Sequence, residues 1–180
     1  MDSLRPGSRI DIMSSSPDAD NDGSPRIEVD LQYHVECVDE DAERIGRAVR
    51  WIASQQQLER LVVSIAVVDD RASQQWNREH LDHDYPTDVI SFVIERGSDW
   101  ADGEIIANAE LACRLAPQAG WTAEDELLLY IIHGLLHVVG FDDTEERLAA
   151  QMRAMERECL KFLNIPLADA HGHDWGRVSY

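Results

Sequence analysis

Between Leu127 and Phe141 the chain is apolar at nearly every position, and its polar interruptions are Tyr130 and two histidines, His133 and His137. Thr122 can cap such a run, with Asp125 three residues later. A helix hydrophobic almost all round has to be the buried centre of the fold. Residues four apart lie one turn apart on one helical face, so the two imidazoles can converge on a single metal ion. Each also needs a polar partner in so apolar a setting. Gly140 can end the helix in the left-handed conformation. Asp142 and Asp143 then arrive where a third ligand is needed. Imidazole and carboxylate suit Zn²⁺ first, in a three-ligand site that leaves a position for water, with other transition metals open. A zinc peptidase carries its general base directly after the first histidine, in H-E-x-x-H. Here that place is Gly134, which argues against proteolysis.

The rest of the chain supplies elements to surround this helix. Ile27, Val29, Leu31, Tyr33 and Val35 alternate with polar residues, the pattern of a half-buried strand. A helix opens at Asp39 or Glu40 and runs to about Gln55 on the stripe Ile45, Ala48, Val49, Ile52. Arg44, Arg47 and Arg50 fall off that stripe and read as a solvated face, with an RNA-backbone patch as the weaker reading. Residues 61–68 are rich in β-branched residues and nearly all apolar, as in an inner strand covered on both faces. A short helix over 71–79 follows, then strands over 87–93 and 104–107 separated by a loop over 95–103. A helix from Glu110 to Ala116 is closed by Pro117, and a last helix runs from about Thr144 to Leu163. Its stripe, Leu148, Met152, Met155, Cys159 and Phe162, reads as core packing. The sum is an α+β domain over 26–165, with a small mixed four-stranded sheet packed by about five helices. The metal site lies on the central helix and the turn after it.

Residues 1–25 are rich in Ser, Asp, Pro and Gly and read as a disordered tail, with Met13 as an alternative start. Residues 166–180 read as a polar tail, and His171-Gly172-His173-Asp174 within it as an adventitious metal binder. No apolar stretch approaches a membrane span and the N-terminus lacks a signal-type apolar region, so the expected location is the cytoplasm. Three well-separated cysteines, Cys37, Cys113 and Cys159, make no disulfide framework, which fits the same compartment. The net charge of −19, from 35 acidic and 16 basic residues, disfavours non-specific nucleic-acid binding but does not exclude a local basic groove.

His133-Gly-Leu-Leu-His137-Val-Val-Gly140-Phe-Asp-Asp143 resembles the H-G-x-L-H-x-x-G-[YF]-D-H signature of the YbeY family of bacterial endoribonucleases, also called rRNA maturation factors. Pro86-Thr87-Asp88-Val89-Ile90-Ser91-Phe92 resembles the family's P-T-[DN]-V-L-S-F. Asn77, Gly103-Glu104-Ile105, and Met152 with Glu156 fall in the family's order and spacing, so the likeness runs from about residue 60 to 163. It implies a single-domain metal-dependent hydrolase that cleaves single-stranded RNA, in 16S rRNA 3′-end maturation and ribosome quality control. The implied partners are rRNA and the small ribosomal subunit or its associated factors. His133 and His137 carry over as zinc ligands, His133 also as the catalytic residue, and Thr87, Asp88 and Ser91 as residues that border the site and position substrate.

Two departures bear on the chemistry. The family's third histidine is Asp143 here, a competent zinc ligand. It can also be read as an N-cap, because Asp143-Thr144-Glu145-Glu146 fits a capping box. The arginine the family carries before Pro86 falls on Leu81, and the tyrosine before it on His80. Arg78, His80 and His83 are the candidates to meet a phosphate in its place. Two other functions remain as rivals: a zincin-like peptidase, and a ribosome-assembly binding protein with structural zinc and weak or no nuclease activity.

Overall fold

The computed structural model describes residues 8–13 and 25–167. Five strands, β1 (Ser8–Met13), β2 (Arg26–Tyr33), β3 (Arg60–Val68), β4 (Val89–Arg96) and β5 (Trp100–Asn108), form one sheet in the order β1-β2-β3-β5-β4. The pairs β2–β3 and β3–β5 are parallel, and the outer pairs β1–β2 and β4–β5 antiparallel. Five helices accompany it: α1 (Ala42–Gln55), α2 (Asp70–Leu81), α3 (Ala109–Ala119), α4 (Ala123–Val138) and α5 (Glu146–Phe162). The α+β class, the mixed sheet and the number of helices are those the sequence leads to.

The sheet has five strands rather than four because Ser8–Met13, inside the segment read as a disordered tail, adds antiparallel to the edge of β2. Six residues give little periodicity by themselves, and the pairing comes from the free edge that β2 offers. His171, His173 and Asp174 lie outside the described residues.

The strand pair next to the site also differs from the expectation. β5 begins at Trp100, so the loop read over 95–103 shrinks to a hairpin connection around Gly97, whose N–H donates to the Trp100 carbonyl at 2.9 Å. Gly103 reads as a loop glycine in sequence, but in β5 it lets α4 come close. A Cβ there would stand 2.6 Å from Cγ2 of Val138 and 2.8 Å from the Phe92 carbonyl oxygen. α3 passes through Pro117 and ends at Gly120, at φ +70°. A proline in the last turn removes one donor without stopping the helix.

Alternation along β2 and β3 buries Ile27, Val29, Leu31, Leu61, Val63 and Ile65 on the sheet face that packs with α1, α4 and α5. The opposite face holds only a small cluster, Val68, Ile90 and Ile106 with Ala66, Ala72 and Phe92, under α2. β3 is therefore covered fully on one face and partly on the other, and Ser64 is exposed. One twelve-residue helix cannot roof a five-stranded sheet. Of the α1 arginines Arg50 is exposed, as a solvated face requires, but Arg44 and Arg47 are not simply solvated. Arg44 bridges Asp41, the N-cap of α1, and Asp125 in the first turn of α4, with Nη1 2.5 Å from Asp125 Oδ1. The Arg47 guanidinium lies 5.3 Å from the ring centre of Phe162.

Candidate metal centre

α4 is oriented by its glycines. Gly134 faces the sheet, where a Cβ would stand 3.1 Å from Ile105 Cγ2 and from Val89 Cγ2. The place of a peptidase base is thus taken up by helix-on-sheet packing. His133 and His137, each one position before a residue that faces the sheet, lie beside that contact with side chains 20% and 27% exposed. The helix ends in a Schellman turn: Phe141 N–H donates to the Leu136 carbonyl at 2.9 Å and Gly140 N–H to the His137 carbonyl at 3.0 Å. Gly140 has φ +108°, which a side chain resists. This turn brings Asp143 back over the histidines.

The two aspartates at the turn divide their roles. Asp142 Oδ1 accepts from Thr144 N–H at 3.0 Å and Oδ2 from the Thr144 hydroxyl at 2.9 Å, an Asx turn. α5 starts later than the capping-box reading requires: its N-cap is Glu145, with no side-chain cap. Asp143 is thereby left to the histidines, with Oδ2 3.8 Å from His133 Nε2 and Oδ1 3.8 Å from His137 Nε2. One ligand atom from each of His133, His137 and Asp143 lies within 4.8 Å of the others.

Partners behind the rings determine which nitrogens face inward. His133 Nδ1 sits 2.7 Å from Oε1 of Glu156, a carboxylate that accepts, so Nδ1 carries the proton. His137 Nδ1 donates to the Phe141 carbonyl at 3.2 Å. Both Nε2 lone pairs then point inward, 3.1 Å apart. Two acceptors that close, facing a carboxylate, repel unless a cation or proton lies between them. A tetrahedral ion with bonds of about 2.0–2.1 Å has ligand edges of about 3.3–3.4 Å, so separations of this order fit one. The donor set and its tautomers therefore match a zinc-type ion.

Burial pushes the His133 pKa down, but the hydrogen bond and charge of Glu156, with the charges of Asp88 and Asp143, outweigh it and the net shift is upward. His137 is lowered, by burial and then by the neighbouring His133. Glu156 escaped the sequence reading as a functional residue. Its signal was there: an acidic residue four positions after Met152, on the face of α5 that is otherwise core, and only 3% exposed.

The other candidates scatter. Asp88 lies near enough for its charge to act on His133, and its Oδ1 accepts from the Thr87 hydroxyl at 2.9 Å and from Val89 N–H at 2.8 Å. Thr87 thus braces Asp88. Ser91, two residues after Val89, shares the β4 face that packs on α4. Arg78 pairs with Asp84 at 3.7 Å. His80 stacks on Trp76 at 4.8 Å and meets Phe92 edge-on at 5.4 Å, on the α2 side of the sheet. His83 stacks on Tyr85 at 5.3 Å. Leu81 is exposed.

Comparison with known proteins shows what this chain is similar to. The family model described as Endoribonuclease YbeY matches residues 30–164. A protein named Endoribonuclease YbeY from Rhodopirellula baltica is 36% identical over 149 residues, 82% of this chain and 77% of that protein. A namesake from Helicobacter pylori is 35% identical over 107 residues, 59% and 74% of the two chains. One from Syntrophotalea carbinolica is 40% identical over 104 residues, 53% and 69%. A Thermotoga maritima protein solved in solution superposes with a TM-score of 0.52 at 20% identity, covering 82% of this chain and 98% of its own, a likeness of fold.

Proposed function

This chain belongs to the Endoribonuclease YbeY family, and from that premise we propose that it is a metal-dependent hydrolase that cuts single-stranded RNA. Its centre is held by His133, His137 and Asp143. The observation that carries the reading is the pair of Nε2 lone pairs 3.1 Å apart, facing the Asp143 carboxylate. Zn²⁺ is the ion the donor set suits best, with other transition metals able to substitute. Bound there, such an ion acidifies a water molecule and polarises a phosphoryl oxygen.

The chain's own residues do the rest. Glu156 holds the Nδ1 proton of His133, and the Phe141 carbonyl that of His137, so neither ring can turn its protonated nitrogen to the ligand side. Asp143 supplies the negative charge that makes the set anionic. Asp88, braced by Thr87, borders His133 with a second carboxylate able to accept a proton. Ser91 offers a hydroxyl on the adjacent β4 face. In the cell the substrate is ribosomal RNA, cut in 16S 3′-end maturation and in quality control on the small subunit in the cytoplasm. Among the described residues no helix is long and apolar enough to cross a membrane.

A second reading, a ribosome-assembly protein that binds without cutting, draws on Leu81 in the family's arginine position and on Arg78 paired with Asp84. Metal analysis of wild type, His137→Ala and Asp143→Ala, with cleavage of a single-stranded oligoribonucleotide by the same samples, separates the readings. Loss of metal and of cleavage in both variants is expected. Stoichiometric metal retained in both would overturn the centre, and loaded wild type that binds but never cuts would establish the second reading.

A further inference from the structure

Arg96 ends β4, and its guanidinium lies across Gly140 at the C-terminus of α4. Nη1 and Cζ stand 2.1 Å and 2.8 Å from where a Cβ at residue 140 would be. Position 140 calls for glycine by its φ of +108°, and the space beside it is filled by the Arg96 guanidinium. Gly140 is three residues from His137 and three from Asp143, and its neighbour Phe141 holds the His137 ring. At the other end of β4, Val89 packs on Gly134 and Asp88 acts on His133. β4 is an edge strand, so its unpaired edge runs from Asp88 by the first histidine to Arg96 beside the turn after the second.

Arg96 is exposed and has no acidic partner among the described residues, in a chain where acidic groups outnumber basic ones by 35 to 16. Arg44 is committed to Asp41 and Asp125, Arg60 to Asp102, Arg78 to Asp84 and Arg114 to Asp70; Arg50, Arg71, Arg147 and Arg157 are exposed like Arg96, and it is the contact with Gly140 that singles Arg96 out. The negative end of α4 attracts a cation to this place but leaves the guanidinium donors free.

We infer that Arg96 is the phosphate-binding cation of this site: its planar fork takes the non-bridging oxygens of a phosphate adjoining the scissile one, as an RNA strand passes along the free edge of β4. The inference rests on the ribonuclease reading. It places the missing basic group on β4, rather than on the loop before Pro86 where Arg78 was the expected substitute.

The test uses full-length protein and a fluorescent single-stranded oligoribonucleotide, with Arg96→Ala, Arg96→Lys and, as control, Arg157→Ala on the exposed face of α5. Cleavage kinetics give KM and kcat. Anisotropy in a His137→Ala background, across a salt series, gives binding without cutting. Removing one phosphate contact made equally in ground and transition states raises KM about tenfold with kcat nearly unchanged. It also flattens the slope of log K against log salt by about 0.7. Arg96→Lys keeps the slope but recovers only part of the affinity, and Arg157→Ala changes neither. If wild type binds and cuts while Arg96→Ala leaves KM and slope unmoved, the inference is wrong and the ribonuclease reading stands. An equal shift in Arg157→Ala would likewise overturn it, by showing a diffuse charge effect. Wild type that neither binds nor cuts single-stranded RNA takes both down.

Discussion

A single contact, 2.7 Å from His133 Nδ1 to Glu156 Oε1, sets which nitrogen of that ring faces the centre. A carboxylate behind an imidazole fixes its tautomer and raises its basicity, and loss of such a partner costs about 10–100-fold in metal affinity. Glu156→Gln should show that loss in a competitive metal titration, with the fold intact; unchanged affinity would mean the contact only fills the core. Asp142 and Asp143 give the complementary comparison. Asp143→Asn should weaken metal binding, whereas Asp142→Asn, which loosens only the turn with Thr144, should leave stoichiometry as in wild type. Equal metal loss in the two variants would contradict the division of roles drawn from the turn.

Three glycines set how α4 meets the sheet, Gly103 and Gly134 by what a Cβ would touch and Gly140 by its positive φ. Gly134→Glu would write H-E-x-x-H into the chain, yet its side chain would enter the contact with Ile105 and Val89. Overpacking and a buried carboxylate should together cost at least about 2 kcal/mol, read by urea denaturation, with no peptidase activity gained. Stability unchanged by the substitution would show that α4 can lift off the sheet at no cost. A separate link joins α2 to α3, where Asp70 Oδ2 and Arg114 Nη1 lie 2.5 Å apart. Burial pushes the Asp70 carboxyl up, but hydrogen bonds from Arg114 and Asn108 outweigh it, and its pKa falls below the ordinary 3.8. A carboxyl whose folded pKa lies below its unfolded one adds stability above the unfolded value, and the gain is lost as pH falls through the folded one. Wild type should therefore exceed Asp70→Asn in stability at neutral pH, and the two melting temperatures should converge as pH drops below about 4. Parallel curves throughout acid titration would rule the link out.

Across the described residues, one large apolar cluster joins α1, α4 and α5 to one face of the sheet, and the candidate metal centre, His133, His137 and Asp143, lies on its central helix and the turn after it. The chain as a whole carries a net −19. Like charges at this density repel one another in the compact state, and added salt screens them over a Debye length of about 8–10 Å. The melting temperature should rise as sodium chloride is raised from low to physiological strength; a fall would mean that local ion pairs such as Arg44 with Asp125 outweigh the summed repulsion. The three thiols are unpaired. Burial pushes Cys159 up to about 12, which makes it unreactive in the native state.

Much of this protein is legible in its sequence, because periodicity and local sterics are properties of neighbouring residues. Alternation over 27–33 and the apolar run through His133 and His137 specify a strand and a buried helix wherever they are placed, and Gly140 marks the turn. What lies beyond the sequence is set by partners far apart along the chain. The pairing of Ser8–Met13 with β2 needed a free edge to join. Gly103 reads as loop until Val138 is seen against it. Glu156 reads as a stray charge in a core stripe until His133, 23 residues earlier, is found 2.7 Å away. Asp142 and Asp143 are adjacent and chemically alike, so only the resemblance to the family's motif ranks Asp143 first, and their own chemistry does not. The backbone after Gly140 decides, turning one to Thr144 and the other to the histidines, because a ligand needs a position in space and only tertiary packing assigns one.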